Sequence, residues 1–159
     1  MQDYGSVNLR ECIEMCVDTW FEDNREEAEK GHTEAMLIYS QLLFHGSRSR
    51  EPDIRQAIFW LRKACKSSPE AAFRLGKLYQ KGKYIEQDLE KAYFYYKLTT
   101  VFRCKCGNQK EAYHTNQISN VHPCYPNEAT DAINSLPLTN SAKKKCEANF
   151  NAWRSSSLK

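Results

Sequence analysis

The feature that most constrains this chain is a match to itself. Ala35-Met-Leu-Ile-Tyr-Ser-Gln-Leu-Leu-Phe-His-Gly46, set above Ala71-Ala-Phe-Arg-Leu-Gly-Lys-Leu-Tyr-Gln-Lys-Gly82, agrees at a spacing of 36 residues. The agreement continues when Asp53-Ile-Arg-Gln-Ala-Ile-Phe-Trp-Leu-Arg-Lys-Ala64 is laid over Asp88-Leu-Glu-Lys-Ala-Tyr-Phe-Tyr-Tyr-Lys-Leu-Thr99, with one residue fewer in the intervening loop. A period in this range means an array of supersecondary units, none of which can bury its apolar face alone.

Each unit reads as two helices. In the first, Thr33 is placed to act as N-cap, apolar residues follow at helical spacing (Ala35, Ile38, Tyr39, Leu42), and Gly46 supplies the left-handed stop. Ser68-Pro69 opens the corresponding helix of the second unit, with Pro69 in the first turn where its missing N–H costs little, and Gly82 closes it. The second helices start at the N-caps Asp53 and Asp88 and carry Ala57, Phe59, Trp60 and Ala64, then Ala92, Phe94 and Tyr95. Ala57 and Ala92 recur at one place because closely crossing helices leave room there only for a methyl group.

The pattern Ala71-x-x-x-Leu75-Gly76-x-x-Tyr79-x-x-Gly82, then Asp88-x-x-Lys91-Ala92-x-x-Tyr95-Tyr96, resembles the Sel-one-like repeat, a relative of the tetratricopeptide repeat. Glu27-Ala-Glu-Lys-Gly-His-Thr-Glu-Ala35 is similar to that family's junction between consecutive repeats, which implies that Leu9 to Lys30 is the second helix of a partial leading repeat. The first full unit departs from the pattern at Tyr39-Ser40, which replaces Leu-Gly, and in the longer loop after Gly46. Leu138 to Trp153 is similar to a closing helix, capped by Thr139 or Asn140, with Cys146, Phe150 and Trp153 on one stripe. The expected fold is therefore all-α, a short right-handed α-solenoid of antiparallel helical hairpins. As one domain over 1–159 it divides into a leading helix (1–32), repeat one (33–68), repeat two (69–103), a degenerate repeat or connection (104–137) and a C-terminal cap (138–159).

Composition narrows the function classes. A net charge of +3 from 23 basic and 20 acidic residues is a mixed surface without the field of a nucleic-acid binder. Apolar runs are too short to span a membrane. The start, Met-Gln-Asp-Tyr-Gly, lacks the basic and apolar regions of a secretion signal. Two compartments fit: cytoplasmic if Met1 is native, periplasmic or secreted if a signal segment was removed.

Seven cysteines are spread along the chain. Between Cys104 and Cys124 lie three of them with His114 and His122, but the single residue between Cys104 and Cys106 does not make a metal knuckle. A disulfide from Cys104 or Cys106 to Cys124, pinning an irregular connection, is preferred over a zinc site or free thiols. No nucleophile elbow or phosphate loop appears, and His32 and His45 have structural readings, so neither catalysis nor a cofactor is expected.

A protein-binding surface remains. In the tetratricopeptide relatives the first helix of each unit lines a concave groove, and the resemblance carries its positions onto Glu34, Leu37, Gln41 and Phe44, then Glu70, Phe73, Lys77 and Gln80. Leu37 and Phe73 read first as core and second as groove, and Phe44 the reverse. The expected function is a non-catalytic module that binds one protein partner, with no nucleic acid and no membrane span. Alternatives are a dedicated inhibitor or immunity protein, then a cysteine-rich secreted enzyme.

Overall fold

A computed structural model of the chain describes residues 8–47, 50–102 and 125–157, and every regular element among them is an α-helix. They are α1 (Leu9–Glu29), α2 (Thr33–His45), α3 (Ile54–Ala64), α4 (Pro69–Lys81), α5 (Leu89–Val101), α6 (Tyr125–Ser135) and α7 (Asn140–Ser157). The chain resolves into two compact units, Met1–Ser67 and Ser68–Lys159. The division falls between the two repeats, as nearest-neighbour packing in such arrays allows.

In the first unit α2 packs against α1 on one side and α3 on the other. Tyr39, the residue that departs from the repeat pattern, is the centre of this unit. Its ring meets Phe21 of α1 edge-on at 5.7 Å and Trp60 of α3 at 5.7 Å. Such edge-to-face pairs add to the area that each ring buries. The longer loop also has a use, because it brings the Arg50 guanidinium over the Phe21 ring at 5.0 Å and into an ion pair with Glu22. Gly46 ends α2 with φ 66°, and a Cβ there would lie 2.6 Å from the Arg50 carbonyl. Thr33 is not the N-cap: α2 starts at Thr33 itself, and His32 occupies the cap without a side-chain bond to the helix. Its imidazole turns instead to Glu27, at 3.3 Å.

Asp53, Ser68 and Asp88 cap their helices as the sequence suggests, accepting from the backbone N–H of Gln56, Ala71 and Lys91. Ala57 and Ala92 are fully buried. Phe59 is not core; it is 60% exposed.

In the second unit α4 and α5 cross so closely that a Cβ on Gly76 would sit 2.6 Å from the Tyr96 ring. Tyr96 is fully buried and donates its hydroxyl to Gln80 Oε1 at 2.6 Å. The equivalent positions of the first unit hold Ser40 and Leu61, both buried. A larger residue on the first helix thus accompanies a smaller one on the second, so helix approach is preserved by exchange of volume.

Within 104–137 the structure places α6, which packs on α5 and α4. Ala129 is its fully buried point of approach. The closing helix α7 begins where expected, with Thr139 Oγ1 accepting from the Ala142 N–H. It covers Phe94 with Phe150 at 5.4 Å and Trp153 at 5.0 Å. Glu147 fastens it to α5, accepting from the Tyr93 hydroxyl at 2.8 Å and pairing with Lys97 at 2.7 Å.

Gly76→Ala is expected to cost ~1–3 kcal/mol, because the added methyl group would force the fully buried Tyr96 ring or the helix backbone to shift. Urea unfolding would show this loss, and the loss should shrink in a Tyr96→Leu background; an unchanged midpoint would contradict the close crossing. Burial also pushes the Tyr96 phenol up to about 12. Ionising near 10 when unfolded, it contributes stability that is complete below that pH and lost as pH rises toward 12. Between pH ~9 and ~11.5 Tm should therefore fall by roughly 5 °C more in the wild type than in Tyr96→Phe.

Candidate protein-binding site

The eight residues anticipated as groove-facing do not share one fate. On α2, Glu34 is exposed and Gln41 and Phe44 are half-buried, whereas Leu37 is only 9% exposed. Leu37 is thus a core residue, and so is Phe73, at 4%. The reason is geometric in each case, since a first helix with neighbours on both flanks leaves little of its circumference open.

Unit two shows what covers Phe73. The first residue of α6, Tyr125, sets its ring 5.6 Å from Phe73, whose other side meets Tyr96 at 5.5 Å. Burial, then the Glu70 carboxylate and its hydrogen bond, push the Tyr125 phenol up to about 12. Glu70 also pairs with Arg74 on its own helix. Gln80 is engaged by Tyr96 through its side chain and by Gln87 through its carbonyl oxygen. Lys77 is exposed, with its ammonium 4.4 Å above the Phe73 ring. All four α4 candidates thus make contacts inside the unit, and of these four Lys77 is the one that stays exposed.

Unit one has a different opening, which sequence reasoning did not assign. The end of α1 and the start of α2 enclose an open cleft of about 540 Å³, walled by Trp20, Asp23, Asn24, Glu27, Glu34 and Ile38. Trp20 is 51% exposed. Asn24 donates to the Trp20 carbonyl at 2.7 Å, which orders that turn. Lys30 holds the Glu27 carboxyl below the usual range by hydrogen bonding at 2.7 Å, with His32 adding to the effect. A second, wholly apolar depression adjoins Trp20 on α1, formed with Cys12, Ile13, Cys16 and Val17. The signal was present in the sequence: Ile13, Cys16 and Trp20 recur at helical spacing, but α1 also carries the buried Phe21 and Ala28 on its other face.

Cys104, Cys106 and Cys124, the disulfide candidates, lie outside the described residues, as do His114 and His122. The four described cysteines are free thiols: Cys12 and Cys16 exposed, Cys65 and Cys146 buried. Burial raises the thiol pKa of both Cys65 and Cys146. Among the described residues, no three His, Cys, Asp or Glu side chains are grouped to hold a metal ion, and no helix is long and apolar enough to cross a membrane.

Comparison with known proteins follows the internal repeat. The Sel1 repeat family model matches residues 33–68 and 69–99. Among solved structures the chain is similar to a Sel1 repeat protein from Oxalobacter formigenes, at 27% identity and a TM-score of 0.46, over 50% of this chain and 60% of that one. It therefore spans less than two thirds of that protein. Comparison with curated proteins gives no match.

Native-state labelling with a thiol reagent should modify Cys12 and Cys16 quickly. Cys65 and Cys146 should follow at least ~10-fold more slowly, because the thiolate is the reactive form and burial disfavours it. Peptide mass mapping of a time course would check this, and equal rates at all four would contradict the burial of the latter pair.

Proposed function

We propose that this chain, which carries two tandem Sel1 repeats over residues 33–68 and 69–99, is a non-catalytic module that binds one protein partner. Sel1 repeats generally mediate protein–protein interaction, and that repeat match is the observation on which the reading rests. The first-helix faces are the proposed contact. In unit one the proposed contact residues are Glu34, Gln41 and Phe44 of α2; in unit two the proposed contact residue is Lys77 of α4. Leu37, Glu70, Phe73 and Gln80 support these faces from within, since their side chains are buried or bonded inside their own units.

The chemistry suits peptide or helix recognition. In unit one Phe44 offers a partly covered ring as an apolar anchor, with Glu34 and Gln41 as polar groups beside it on the same helix, and in unit two Lys77 offers an exposed cation. The same contact serves an adaptor or an inhibitor; what separates them is whether the bound partner loses activity.

Affinity capture from the native organism with wild type, Phe44→Ala and Lys77→Glu, followed by calorimetry on the purified partner, tests the reading. Phe44→Ala should weaken binding by ~10-fold or more, as truncation of an anchor does. Lys77→Glu should weaken it less, and in a salt-dependent way. Equal affinity for all three proteins would place the contact elsewhere.

A further inference from the structure

We infer that α1 carries a second docking surface, which shares Glu34 with the α2 face and is otherwise distinct from it, for a basic amphipathic segment of a protein partner. Cys12, Ile13, Cys16, Val17 and Trp20 form a continuous apolar strip on the outer face of α1. Ile13 and Trp20 are more than half exposed. Helical spacing carries the same face on through Asp23 to Glu27, so a strip that is apolar at one end becomes acidic at the other. Trp20 belongs to both halves, as a wall of the cleft between α1 and α2 as well as of the apolar depression. From Cys12 to Glu27 the surface runs ~22 Å at the helical rise, enough for about four turns of a docked helix.

Charge selects the occupant. The α1 sequence holds eight acidic residues against two arginines, in a chain whose net charge is +3. Much of that acid is already used: Glu22 by Arg25 and Arg50, Glu27 by Lys30 and His32. Asp23 and Glu34 are different, because both line the cleft beside Trp20 and neither pairs with a cation among the described residues. An indole face flanked by two uncommitted carboxylates is a receptor for a lysine or arginine head, which gains cation–π and ionic contacts together. Apolar side chains one or two turns away on the same segment would cover Ile13, Cys16 and Val17. An anionic membrane surface is disfavoured by the same acidic residues, and a second copy of this chain is an outcome for the test to detect.

The probe is a fluorescently labelled synthetic peptide of 18 residues, designed as a helix with leucines on one face and lysines and arginines on the other. Anisotropy should report saturable binding that weakens by ~10-fold or more in Trp20→Ala and in the double variant Asp23→Lys/Glu34→Lys. It should also weaken with rising salt and remain unchanged in Phe44→Ala, which separates this surface from the proposed first-helix contact. Three results would each overturn the assignment: no saturable binding, equal binding of a peptide with its basic residues replaced by glutamate, or equal affinity for the double carboxylate variant. So would sedimentation showing a dimer of the unliganded chain that Trp20→Ala dissociates. The substituted side chains lie on the surface, and circular dichroism on each variant verifies that it is folded before binding is compared.

Discussion

The close crossing of the two helices in each repeat is the constraint from which the remaining features follow. Ala57 and Ala92 let the backbones approach, and Gly76 admits the Tyr96 ring where even one methyl group would collide. A fully buried tyrosine is tolerable only because its hydroxyl is satisfied, and Gln80 supplies the acceptor. Tyr96 also presents its ring to Phe73, which in turn seats Tyr125. One small residue on α4 thereby positions a path of rings that reaches α6.

That path explains why the two repeats, so similar in sequence, offer different surfaces. In unit two Tyr125 takes up Phe73 and Glu70 on the first helix, and α7 covers Phe94 on the second. In unit one the equivalent of Phe94 is Phe59, which is 60% exposed, and α1 keeps an apolar strip on its outer side. Binding capacity in such a chain depends on where the array has stopped covering its own faces, more than on any specialised residue. An acidic excess on α1 in a chain of net +3 adds a preference of sign to what would otherwise be a generic apolar face.

Much of the architecture was legible because repetition and capping are local. The helix starts at Asp53, Ser68, Asp88 and Thr139 and the stops at Gly46 and Gly82 rest on hydrogen bonds and dihedral angles within a few residues. The α6 helix was harder to see. Tyr125, Ala129, Ala132, Ile133 and Leu136 do keep helical spacing, but two of the five are alanines, and Pro126 and Asn127 read equally well as a turn. Thr33 misled for a related reason: a threonine before an apolar run is a good cap, yet His32, drawn toward Glu27, sits one residue earlier in the capping position.

The candidate site divides along the same line. By itself the sequence determined the two-helix repeat, its internal alanines and its caps apart from Thr33, each encoded by spacing or by a backbone preference, while the leading helix was implied by the family resemblance of the Glu27–Ala35 junction. Only the tertiary structure decided that Leu37 and Phe73 are core, that Glu70 and Gln80 are spent on tyrosine hydroxyls, and that Trp20 stands at an acidic cleft. Periodicity fixes which residues share a face of a helix, but not which neighbour covers that face. Burial is a property of the pair, and the covering partner of Phe73 lies 52 positions away, at Tyr125.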